Sequence, residues 1–141
     1  MLVKAFKSNR EININVSKYR IDWNRKVSKP QFKFKKFIYP YWKFDVVLEE
    51  FVIPKSGGKR IDLFNISKGI AVEISPASVH FEYNKFFHGS KEGYGKKVRS
   101  DLDKIDWVES NGWKIIEIVD EDLQDENLNR EYLVKKYGIK F

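Results

Sequence analysis

A chain of 141 residues, 42% hydrophobic and 16% aromatic, is long enough to bury one compact core and too apolar to remain disordered. It contains no cysteine, which excludes disulfides and thiolate-ligated metals. The 27 Lys and Arg against 20 Asp and Glu leave a net charge of +7, which is either a plain solvated basic face or the footprint of a polyanion-binding surface.

Met1 to Ile12 holds no long apolar run, and no stretch approaches the ~20 apolar residues of a membrane span. The expectation is a cytoplasmic protein with no membrane partner. Ile12, Ile14 and Val16 alternate with polar neighbours and predict a strand over Glu11 to Ser17. Ser28-Lys29-Pro30 predicts a helix start. Phe34, Phe37, Ile38 and Tyr41 would form its apolar stripe, with Lys33, Lys35 and Lys36 off that stripe, toward solvent or a phosphate backbone. Pro40 should end or kink this helix near Tyr39. Three strands follow, over Phe44 to Ile53, Lys59 to Ile66 and Ile70 to Ser75, separated by the turns 54–58 and 67–69 and stopped by Pro76. Residues 77–95 read as irregular. A helix is predicted over Lys96 to Asn111, with Val98, Leu102, Ile105 and Val108 on one face and Gly112 as its cap. A fourth strand, Trp113 to Val119, precedes a charged helix over Leu123 to Tyr137. The order predicts an α/β fold: a central mixed β-sheet flanked by helices.

The chemistry concentrates in residues 46–75. A hairpin closed by the five-residue turn 54–58 sets Ile53 opposite Lys59, so that paired residue numbers add to 112. Glu50 then lies across from Asp62, while Val47, Phe51 and Ile53 would share the opposite, core face with Ile61 and Leu63. A register slipped by one residue would select Glu49 instead, which would otherwise fall on the apolar face. In the third strand Ile70, Val72 and Ile74 alternate with Ala71, Glu73 and Ser75, so Glu73 can stand beside Asp62 if the core faces of the strands align. Three carboxylates, Glu50, Asp62 and Glu73, would converge. Like charges raise one another's pKa, and a divalent cation removes that penalty. Mg²⁺ (or Mn²⁺) takes one or two carboxylates together with waters and phosphate oxygens. The plain alternative is a half-exposed sheet whose acids face water.

Glu50, then Arg60-Ile61-Asp62-Leu63, then Ala71-Val72-Glu73-Ile74-Ser75, then His80 resembles the PD-(D/E)xK nuclease superfamily, nearest to its very-short-patch-repair and phage or homing endonuclease branches. The run Asp101-Leu102-Asp103-Lys104 and then Asn111-Gly112-Trp113-Lys114-Ile115-Ile116 is similar to a helix that leads through a Gly-Trp pair into the last core strand. The resemblance spans roughly residues 44–120. It implies a restriction-endonuclease-like core and a Mg-dependent endodeoxyribonuclease of phage, homing or resolvase type. It also implies Asp62, Glu73 and the backbone carbonyl of Ile74 as metal ligands. Two departures stand out. The position two after the glutamate, normally lysine, is Ser75, so the missing charge falls first to Lys104, with Lys85 and His80 as others; otherwise the site is dead and only binding remains. The upstream helix carries no acid over residues 30–39, and Glu50 takes that role.

Lys33, Lys35, Lys36, Lys55, Lys59, Arg60, Lys96, Lys97 and Arg99 are the candidate phosphate contacts, although each alone is more often just a solvated charge. Trp23, Trp42, Trp107 and Trp113 read as core or interface rather than as base-stacking platforms. The partner expected is DNA, with a homodimer admitted. A non-catalytic nucleic-acid-binding module on the same fold is the competing reading.

Overall fold

The computed structural model describes residues 1–75, 102–124 and 128–141. Two short strands, β1 (Leu2–Lys4) and β2 (Glu11–Asn13), pair antiparallel; β2 ends earlier than the alternation suggested, and β1 carried no sequence signal. Helix α1 (Lys29–Trp42) follows, then strands β3 (Val47–Val52), β4 (Arg60–Asn65) and β5 (Ile70–Ser75). Residues 102–110 are helical (α2) and lead into β6 (Lys114–Val119), a 3₁₀ turn (Asp120–Leu123) and helix α3 (Arg130–Tyr137). The main sheet has the order β3-β4-β5-β6, antiparallel except for the parallel β5–β6 pair. That is a mixed sheet with helices packed on it. No helix among the described residues is long and apolar enough to cross a membrane.

Local chemistry explains the boundaries. The Ser28 hydroxyl accepts the Gln31 amide at 3.3 Å and caps α1, with Pro30 in the first turn. Pro40 neither ends nor stops the helix, which continues to Trp42. The Lys43 amide still donates to Tyr39, and the buried Trp42 indole donates to the Lys140 carbonyl, so tertiary contacts hold the last turn past the missing proline donor. Gly112 terminates α2 at φ +81, as its position predicted. The C-terminal helix begins at Arg130 rather than Leu123: the Asn129 side chain accepts the Tyr132 amide at 3.0 Å and resets the start, while Asp120–Leu123 form a separate 3₁₀ turn.

The sheet has an apolar layer on each side. α1 contributes Phe34, Ile38 and Trp42 to one layer, packed on Val47, Leu63, Val72, Ile116 and Ile118. α2 contributes Trp107 and Val108 to the other, with Leu48, Phe51, Ile53, Ile61, Phe64 and Ala71. Leu102 is 51% exposed, so the buried stripe of α2 differs from the one its apolar residues suggested. Tyr41 is likewise exposed at the edge of the α1 stripe.

Lys35 departs most from expectation, being fully buried instead of facing solvent. Its Nζ donates to Glu49 Oε2 at 3.0 Å and to the Arg25 carbonyl at 3.0 Å. Glu49 Oε2 also accepts the Asp22 amide at 2.7 Å. Glu49 Oε1 makes no hydrogen bond and is compensated by the Arg25 guanidinium at 3.6 Å. The acid that the register placed on the apolar side is therefore held inside by a buried lysine.

Candidate functional site: a carboxylate pair in a fork between two strands

The β3–β4 hairpin keeps the expected register: Val47 pairs with Asn65, Glu49 with Leu63, Phe51 with Ile61, and the Ile53 amide donates to the Lys59 carbonyl at 2.8 Å. The ladder is interrupted at Glu50 and Asp62. Glu50 has φ +49, a left-handed conformation that costs a non-glycine residue about 1 kcal/mol or more. The consequence is a change of face. Val47 and Leu63 belong to the α1 layer, whereas Phe51, Ile53 and Ile61 belong to the α2 layer. The expected single core face carrying all five residues is thus corrected: alternation holds on either side of the Glu50–Asp62 step and fails across it.

β4 and β5 pair from Asn65–Ile70 to Leu63–Val72 and then part. Into this fork comes the Asp62 carboxylate, whose Oδ2 accepts the Ile74 amide at 2.9 Å. In extended backbone a residue's N–H and C=O lie along the same strand edge, so the Ile74 carbonyl is directed to the Asp62 side as well. Glu73 hydrogen-bonds the Asp62 carboxylate, and Lys104 Nζ on α2 donates to Glu73 Oε1 at 3.1 Å. Burial, reinforced by the neighbouring Asp62 charge, pushes the Glu73 carboxyl up to about 8 against the opposing pull of Lys104. Near neutral pH Glu73 therefore stays largely protonated beside Asp62.

Glu50 stands apart from this pair. Its Oε1 accepts from Gln31 Nε2 at 3.4 Å, and its Oε2 pairs with Arg60 at 3.7 Å. No group of three or more His, Cys, Asp or Glu that could hold a metal occurs among the described residues, so the three-carboxylate convergence is corrected to a pair, Asp62 and Glu73. Ser75, in the lysine's place, donates to Glu117 Oε1 at 2.7 Å and leaves the positive charge to Lys104. Gln31 was missed in the sequence. Its Nε2 also lies 3.4 Å from the Asp62 carbonyl, tying the start of α1 to the fork. The signal was its place on the Gln31, Lys35, Ile38, Trp42 stripe, every member of which is buried.

Of the candidate phosphate contacts, Lys33 and Lys36 lie on α1, Lys55 on the exposed turn at φ +63, and Lys59 and Arg60 at the start of β4. The Lys59 ammonium sits over the Phe6 ring at 5.8 Å. Lys96, Lys97, Arg99, Lys85 and His80 lie outside the described residues. No family model, no curated protein and no solved structure matches this chain.

Proposed function

We propose that the protein is a metal-dependent DNA endonuclease on a restriction-endonuclease-like core. The observation that carries this reading is the Asp62–Glu73 pair, half-buried in a strand fork with Lys104 against it, in a chain of net charge +7. Two adjacent carboxylates, of which Glu73 is held protonated near neutral pH in the absence of a cation, form a donor set suited to Mg²⁺ or Mn²⁺, which needs no more than one or two protein carboxylates. Asp62, Glu73 and the Ile74 carbonyl would hold the ion. Such an ion supplies Lewis-acid charge to the attacked phosphodiester and lowers the pKa of bound water. Lys104 contributes the fixed positive charge that Ser75 lacks, stabilising charge that develops on the phosphate. Glu50, held by Gln31 and Arg60 apart from the pair, would assist only from outside the metal's own ligands. The basic turn 54–60 and the exposed lysines of α1 would contact the backbone, and a homodimer is compatible with cutting both strands.

The deciding experiment incubates the protein with plasmid, linear and branched DNA in Mg²⁺ or Mn²⁺ and follows the products. Metal-dependent scission is expected. Binding without scission on every substrate would leave the non-catalytic module as the better account.

The titration of Glu73 gives a second expectation. Its carboxyl ordinarily ionises near 4.5 and is raised to about 8, so between those values the folded protein keeps a proton that a cation must displace. Mn²⁺ affinity should climb up to tenfold per pH unit through this window and level off above about 8. In the metal-free protein the same proton linkage favours folding below 4.5 and is lost as the pH rises through 8. Calorimetric Mn²⁺ titrations between these limits give the first slope, and a flat profile would contradict it.

A further inference from the structure

A cavity of about 550 Å³ opens on the side of α1, walled by Ile21, Asp22, Trp23, Asn24, Lys36 and Tyr39. Trp23 and Tyr39 meet edge to face, with centroids 5.3 Å apart. Lys36 Nζ donates to the Asn24 side chain at 3.2 Å and lies 4.9 Å from the Phe32 ring, which the Lys26 ammonium approaches at 5.0 Å. Asp22, the acid on this wall, accepts the Asn24 amide at 3.0 Å. The result is a recess with aromatic walls beside two ammonium groups.

We infer that this recess is a subsite for an unstacked nucleotide of a single-stranded nucleic-acid segment, its base against Trp23 and Tyr39 and its phosphate near Lys36 and Lys26; the inference rests on the nuclease reading for its partner. Aromatic rings bind bases through their faces, and a stacked duplex has no free faces to offer. The lysines match the charge of the backbone that must accompany the base.

The wall is also preorganised. The Asp22 amide is tied to Glu49, the Arg25 carbonyl to Lys35 and the Ile21 amide to the Val47 carbonyl at 3.0 Å. The buried Lys35–Glu49 pair thereby fixes the segment that forms one side of the recess. The recess shares α1 with the catalytic fork. Gln31 touches the fork, and Tyr39 lies eight residues further along, ~12 Å at the helical rise. That separation corresponds to a few nucleotides of one strand.

The test uses the full-length protein in Ca²⁺ and a labelled oligothymidylate, beside a duplex of equal length. Tyr39→Ala alters an exposed side chain and should weaken oligothymidylate binding about tenfold while duplex binding is unchanged. Lys36→Gln should reduce the salt slope of oligothymidylate binding by about 0.7. An oligonucleotide carrying 5-iodouracil should photo-crosslink to Trp23 or Tyr39. Unchanged oligothymidylate affinity in Tyr39→Ala, or crosslinks confined to other residues, would overturn the subsite. A protein that cuts duplex and does not bind oligothymidylate would overturn it too, with the nuclease reading intact. Tyr39-dependent binding by a protein that cuts nothing supports the subsite and removes the nuclease.

Discussion

Asp62→Asn is expected to lower metal-dependent cleavage by at least about a hundredfold while DNA binding measured in Ca²⁺ stays the same or tightens. Asparagine keeps the shape of the side chain and an oxygen for the Ile74 amide, so the fork should remain closed. What it loses is the negative charge that a cation and its water need. Glu73→Gln should behave alike, because it removes the second carboxylate that a bound cation would call on. Lys104→Ala should slow cleavage and leave metal binding in place. It should also move the pH profile upward, since Lys104 is the group that opposes the rise of the Glu73 pKa. Time courses at several pH values, run beside binding titrations, separate these effects. Undiminished cleavage by Asp62→Asn would sink the assignment.

The second large effect is on stability. Lys35→Met should cost about 3–5 kcal/mol in urea unfolding, because Glu49 would remain buried with the Arg25 guanidinium at 3.6 Å as its remaining charged partner. Lys35→Met combined with Glu49→Leu should recover much of the loss, since the expensive element is one unpaired buried charge and not the absence of the pair. A single-variant cost below about 1 kcal/mol would show that water reaches Glu49.

Much of this architecture is legible in the sequence. Turn length fixes hairpin register, and the 54–58 turn placed Glu49 against Leu63 and Phe51 against Ile61 as found. Ser28 and Gly112 announced the ends of two helices through capping chemistry that is local in sequence. The nearness of Asp62 and Glu73 follows from alternation, while Lys104 was singled out only by the resemblance, as a stand-in for the lysine absent at Ser75. Three features resisted. The left-handed turn of Glu50 breaks a period-two pattern, and nothing in the residue type announces it. Lys35 sits on the buried stripe of α1, where a charge reads as solvent-facing until its partner on the next strand is known. Leu102 is apolar yet exposed, because the packing of α2 is set by Trp107 and Val108 at its other end. Each is a tertiary decision overriding a local one.

The positive charge at the fork arrives on a different segment from the two acids. Had it stood at position 75, it would have been built into the same strand as Glu73. Instead it rides on α2, which packs on the main sheet through Trp107 and Val108 and is tied to β1 by the indole's hydrogen bond to the Lys4 carbonyl at 2.7 Å. Local opening of that helix would carry the lysine away while the acids kept their places on the sheet. On the proposed nuclease reading, cleavage would be a gauge of helix docking: loosening the Trp107 anchor would silence it before the strands unfolded.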